Sequence, residues 1–106
     1  MPQPDAQTEP WREPALAGRL AEAVELLRGQ VHGGGGMGFY ASQGYMLEAA
    51  GDSLAASDPA SALVQYEAAL KSYLCYVLMP ARGDSDQDGY GFAEGVLLKI
   101  KALPAP

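Results

Sequence analysis

The sequence is poor in the residues that most often build metal and redox sites. Its 106 residues include one cysteine, Cys75, and one histidine, His32. A single cysteine excludes a disulfide within the chain and any site that needs several thiolates from one chain. A single histidine excludes the paired Glu-x-x-His ligands found in some helical bundles. Cys75 falls on an apolar stripe, so we interpret it as a small hydrophobic core residue in a reducing compartment.

Basic residues are also scarce. Seven lysines and arginines stand against thirteen aspartates and glutamates, which gives a formal charge of -6 and a pI near 4.5. Such a chain repels a phosphate backbone, so we expect no nucleic-acid partner. The chain has no run of about 18 apolar residues that could span a bilayer, and its first residues lack the pattern of a signal peptide. We therefore expect no membrane association and a cytoplasmic location.

The chain does contain enough apolar material for one folded domain. Hydrophobic residues make up 48% of the sequence and charged residues 19%, a balance that favours folding over disorder. The first ten residues include three prolines and little to bury. We therefore predict a flexible segment over residues 1–10 and a single helical domain over residues 11–106.

Apolar residues recur at helical spacing in four segments. They predict a first helix that starts at Pro14 and continues to about Val31, and further helices over residues 37–56, 59–79 and 92–103. The third segment has the clearest apolar stripe, and Asp58 before Pro59 is typical of a helix start. The pattern predicts an all-α fold, either a four-helix bundle or stacked helical hairpins.

An acidic segment over residues 83–89, predicted to be a loop, resembles the start of a calcium-binding loop of the EF-hand kind. Asp84, Asp86 and Asp88 alternate before Gly89, so their carboxylates could converge on one ion. Such a loop closes with a bidentate carboxylate at its twelfth position, whereas Glu94 is the eleventh residue here. Two interpretations stay open: a Ca²⁺ site made by these three aspartates and Glu94, or a solvated helix connection.

Three of the six tyrosines, Tyr66, Tyr73 and Tyr76, share the third predicted helix. They either pack in the core with their hydroxyls at the surface, or form an interaction surface for a protein partner or a second copy of the chain.

Small and aromatic residues follow an ordered pattern through residues 46–74. Ala50, Asp58, Ala62, Tyr66 and Ala69 fall where a tetratricopeptide repeat places its small, turn, small, aromatic and small residues. The segment therefore resembles such a repeat, and also the related hairpin of microtubule-interacting-and-trafficking domains. The resemblance implies two closely packed antiparallel helices and a scaffold that binds helices or peptides.

A shorter motif lies within the same segment. The residues Gly51, Asp52, Ser53 and Leu54 are similar to the attachment motif of acyl and peptidyl carrier proteins. That resemblance implies a phosphopantetheine arm on Ser53 at a helix start, and chance agreement is the alternative.

These patterns support three hypotheses about function. The first is a non-enzymatic module that binds a protein partner or itself and needs no cofactor. The second is a calcium-responsive helical domain. The third is a small enzyme whose site is completed at an oligomer interface, with Glu48, Asp52, Tyr66 or Glu67 as polar groups between helices. We expect the first, because the sequence shows no recognisable catalytic constellation.

Overall fold

The structure, a computed structural model, describes residues 9–28, 36–78 and 85–104. Within these ranges it contains five helices and no strand: α1 (Arg12–Leu16), α2 (Leu20–Leu27), α3 (Gly36–Leu54), α4 (Pro59–Leu78) and α5 (Ser85–Ala102). The predicted all-α fold is confirmed. The second, third and fourth predicted helices correspond to α3, α4 and α5.

The first predicted helix is in fact two helices, so the prediction of one continuous helix is wrong. Gly18 has φ +89°, a left-handed conformation that glycine adopts without steric cost. Its N–H donates to the Ala15 carbonyl at 3.0 Å, and the Arg19 N–H donates to the Pro14 carbonyl at 2.8 Å. These two bonds form a Schellman motif, which ends α1 and turns the chain before α2.

Asp58 caps α4, as the sequence predicts. Its carboxylate accepts hydrogen bonds from the Ser61 hydroxyl at 2.8 Å and from the Ser61 backbone N–H at 3.2 Å. Both bonds lower the pKa of Asp58, the hydroxyl more than the backbone. Pro59 is the first helical residue, where its missing N–H leaves no bond unmade. The short connection makes α3 and α4 an antiparallel hairpin.

Helix α4 is the centre of the fold, since α2, α3 and α5 all pack against it. Its residues Leu70 and Leu74 are fully buried, and so are Trp11, Leu27 and Val96 from the surrounding segments. Burying a large apolar side chain contributes about 1.5–3 kcal/mol, so this shared core accounts for much of the association of the helices.

Helix α5 begins earlier than the sequence predicts. An acidic loop was expected over residues 83–89 and a helix only from Phe92, but α5 starts at Ser85. Gly89 is buried against Val77 and Tyr76 of α4, where no side chain would fit. Packing onto α4 therefore overrides the low helix propensity of the glycines in this segment.

Candidate functional site

Two tyrosines of α4 pack directly onto two glycines of α3. A Cβ atom at Gly44 would lie 2.5 Å from the Tyr73 ring, and one at Gly51 would lie 2.6 Å from the Tyr66 ring. The two pairs have the same spacing of two helical turns, so the contacts repeat along the hairpin. Both tyrosines are only 3% exposed. The two rings can lie this close to α3 because the glycines have no side chain.

The hydroxyls of both tyrosines end at carboxylates of α3. Tyr73 donates to Glu48 Oε1 at 2.7 Å, and Tyr66 donates to Asp52 Oδ1 at 2.7 Å. Glu48 and Asp52 are about one helical turn apart and share a side of α3. Lys99 of α5 joins them, with its Nζ 2.7 Å from Glu48 Oε2 and 3.0 Å from Asp52 Oδ1. We call these five residues the polar network, and it connects α3, α4 and α5.

The environment of the polar network fixes its protonation states. The hydrogen bond from Tyr66 is the largest cause that lowers the pKa of Asp52, and Lys99 acts in the same direction. The bond to Glu48 is the largest cause that raises the pKa of Lys99. Burial, followed by the bonds to carboxylates, raises the pKa of Tyr66 and of Tyr73. At neutral pH Lys99 is therefore an ammonium and both phenols are protonated.

With these protonation states, the polar network can hold the three helices together by charged hydrogen bonds. A phenol with a raised pKa supplies little phenolate, and a protonated lysine is not a nucleophile. Two carboxylates, Glu48 and Asp52, face one ammonium, Lys99, which leaves one formal negative charge. The network therefore acts as an ionic connection between three helices with a small excess of negative charge.

A cleft of about 370 Å³ opens beside the polar network. Its polar side is formed by Asp52, Tyr66 and Lys99. The rest of its lining is apolar and comes from the carboxyl ends of α3 and α5: Ala55, Ala56, Ala102, Leu103 and Pro104. Because the Asp52 side chain is 48% exposed, the cleft combines apolar walls with an accessible carboxylate.

Aromatic side chains from α3, α4 and α5 cluster around Tyr73. The ring centroid of Phe92 lies 5.1 Å from that of Tyr73 and 6.3 Å from that of Tyr76. On α3, Tyr45 directly follows Gly44, whose backbone packs on the Tyr73 ring. Tyr45 is 72% exposed and Phe92 46% exposed. We call Tyr45, Tyr73, Tyr76 and Phe92 the aromatic patch.

Some of the polar residues expected between helices do meet. Glu48, Asp52 and Tyr66 belong to the polar network, but Glu67 does not. Its carboxylate instead accepts two hydrogen bonds from Arg12, at 2.7 and 2.8 Å, which tie α1 to α4. Sequence reasoning missed Lys99, which reaches these carboxylates from α5.

The three tyrosines predicted to form an interaction surface differ in exposure. Tyr66 and Tyr73 are buried and hydrogen-bonded to carboxylates, whereas Tyr76 is partly exposed. An interaction through Tyr76 stays a prediction. Cys75 is buried, and burial raises its pKa, so its interpretation as a core residue is confirmed.

The predicted calcium ligands do not form an observed site. Asp84 lies outside the described residues, as do the side chains of Asp86 and Asp88, although the backbone of both is helical in α5. Glu94 is exposed further along α5. Among the described residues, no three His, Cys, Asp or Glu side chains group as metal ligands. Calcium binding stays a prediction, and it requires the start of α5 to open into a loop.

Ser53 lies in the last turn of α3, where its hydroxyl donates to the Ala49 carbonyl at 3.2 Å. This position differs from the helix start that the carrier-protein resemblance implies.

Comparison with known proteins adds no relative: no family model, curated protein or solved structure matches this chain. None of the five described helices combines the length and the hydropathy that crossing a bilayer requires.

Proposed function

We propose that this protein is a non-enzymatic helical module that binds a protein partner through the surface formed by α3 and α5. The aromatic patch is the observation that carries the proposal. Phe92 of α5, whose ring contacts the buried Tyr73, is 46% exposed, and Tyr45 of α3, next to the Gly44 that packs on the same ring, is 72% exposed. Protein interfaces are enriched in aromatic residues, and exposed apolar groups with a polar rim are typical of binding surfaces.

The polar network supports the same proposal, because it fixes the surface before a partner arrives. Lys99 holds α5 to Glu48 and Asp52 of α3, while the tyrosine hydroxyls hold the same carboxylates to α4. A surface that is already ordered loses less conformational entropy on binding. The resemblance of residues 46–74 to tetratricopeptide and microtubule-interacting-and-trafficking hairpins agrees with a scaffold of this kind.

Charge favours a different protein over a second copy as the partner. The chain carries a formal charge of -6, so two copies repel one another, whereas a basic protein is attracted. The protein therefore acts as an adaptor. We place it in the cytoplasm, where the free thiol of Cys75 is stable.

Substitution of an exposed aromatic residue tests this function. Tyr45→Ser removes the most exposed ring of the aromatic patch, and Val64→Ser is its control, because Val64 is 64% exposed on α4 outside the patch. Each purified protein is immobilised and exposed to an extract of its native cells, and the retained proteins are quantified by mass spectrometry. We expect a protein that wild type and Val64→Ser retain and Tyr45→Ser loses. Equal retention by all three would contradict the proposal.

Analytical ultracentrifugation checks the choice of partner. We expect a monomer at micromolar concentration. A dimer that Tyr45→Ser dissociates would show instead that a second copy occupies the patch.

A further inference from the structure

We propose that the cleft beside the polar network binds the side chain of a lysine or arginine from the protein partner. This inference rests on the proposed function and names the chemistry that the partner must present. The cleft lies next to Asp52, Tyr66 and Lys99, where α3 and α5 end.

The electrostatic field in the cleft favours a cation. Glu48 and Asp52 outnumber Lys99 by one formal charge, and Lys99 is already held 2.7 Å from Glu48 and 3.0 Å from Asp52. The carboxyl ends of α3 and α5 both lie at the cleft, and each helix carries a partial negative charge at that end. The two helix ends therefore add to the excess of the carboxylates.

Asp52 retains room for another donor. A carboxylate offers about four lone-pair sites. Tyr66 donates to Oδ1, while Lys99 lies 3.0 Å from Oδ1 and 3.1 Å from Oδ2. Asp52 lines the cleft with its side chain 48% exposed, so its carboxylate has acceptor capacity for one more donor.

The remaining walls fit the aliphatic part of a basic side chain. Lysine and arginine cover apolar surface with their methylene groups while the charged head reaches a polar group. The alanines after α3 and the residues at the end of α5 supply that apolar surface. A short alkyl chain without a charge would contact only the apolar walls, and a small inorganic cation would contact only the Asp52 carboxylate. A ligand that makes both contacts needs a positive charge at the end of an apolar chain.

Small mimics of the two side chains test this inference directly. The probes are butylguanidinium and butylammonium, with butyrate and butanol as controls, each titrated into the full chain and followed by NMR of the alanine methyl groups. We expect both cations to shift the methyl signals of Ala55, Ala56 and Ala102 in a saturable way. Butyrate and butanol are expected to bind at least about tenfold more weakly, because they lack the charge-assisted hydrogen bond.

Three variants test whether the cationic probes bind in the cleft. Asp52→Asn is expected to weaken butylguanidinium about tenfold, while Glu13→Gln, which removes an equal charge from an exposed position on α1, leaves the affinity unchanged. Ala102→Leu narrows the cleft and keeps Asp52, so it is expected to block the probe in a chain that stays folded.

Two results would overturn the inference. One is butyrate binding as tightly as the cations, which would show that Lys99 dominates the cleft. The other is unchanged cation binding in both Asp52→Asn and Ala102→Leu. Neither result touches the proposed function, which the retention experiment with Tyr45→Ser decides separately.

Discussion

Replacing Gly44 by alanine tests how closely α3 and α4 pack. The added Cβ would lie 2.5 Å from one carbon of the Tyr73 ring and 2.7 Å from another. Tyr73 has little freedom to move away, because it is 3% exposed and its hydroxyl is bonded to Glu48 at 2.7 Å. Either the two helices separate or the network bond breaks.

The magnitude follows from two opposing effects. Overpacking a core contact costs about 1–3 kcal/mol, and the constraint on Tyr73 places this case near the upper end. Alanine recovers about 1 kcal/mol over glycine in a helix interior. The free energy of unfolding should therefore fall by about 2 kcal/mol, and the Tm by roughly 10 °C for a domain of this size. Urea denaturation and a thermal melt followed by circular dichroism measure both quantities.

Gly95→Ala is the matched control for Gly44→Ala. A Cβ at Gly95 would meet no atom within 4 Å, so only the gain in helix propensity remains, about 1 kcal/mol of added stability. The two substitutions are chemically identical and are expected to have opposite signs. Gly44→Ala with at least wild-type stability would refute the glycine–tyrosine contact.

Three further predictions concern the core, the first turn and the pH dependence. Leu74 is fully buried, so Leu74→Ala should lower the free energy of unfolding by about 2–5 kcal/mol. Leu74→Asp should abolish the cooperative urea transition, because it buries a charge. A folded Leu74→Asp protein would show that the core lies elsewhere. Gly18 has φ +89° and open space around it, so Gly18→Ala should cost about 1–2 kcal/mol of backbone strain in the same assay, and no loss would mean that the turn is not left-handed. Asp52 has a lowered pKa in the folded state, so its stabilising contribution is present above the unfolded pKa of about 4 and is lost as the pH falls through the lower folded value. Urea melts between pH 6 and pH 2 should therefore lose stability less steeply in Asp52→Asn than in wild type, and identical slopes would contradict the bonds to Tyr66 and Lys99.

The helices that the sequence predicts well are those with local signals. The apolar stripe of α4 and the cap made by Asp58 depend on residues within a few turns of one another, and both appear as expected. Gly18 shows the limit of such signals. Apolar spacing continues across it, but the chain turns there, and α1 is held to α4 by the bonds from Arg12 to Glu67. The sequence alone does not distinguish a glycine with positive φ from a glycine inside a helix.

The candidate site was predictable in part for the same reason. Glu48 and Asp52 share a helix face by their spacing, and Tyr66 was expected near them. Lys99 comes from α5, and its position depends on how α5 is rotated against α4. That rotation is set by packing between helices, including the buried contact of Gly89, so no short-range pattern identifies Lys99.

Photo-crosslinking from two exposed positions tests the central claim most directly. Tyr45→p-benzoylphenylalanine places the reactive group in the aromatic patch, and Val64→p-benzoylphenylalanine places it on exposed α4 surface outside the patch. We predict that irradiation of native cells expressing each variant yields a covalent adduct with a second protein from position 45 and none from position 64. Adducts from position 64 alone, or from neither position, would contradict a partner-binding surface on α3 and α5.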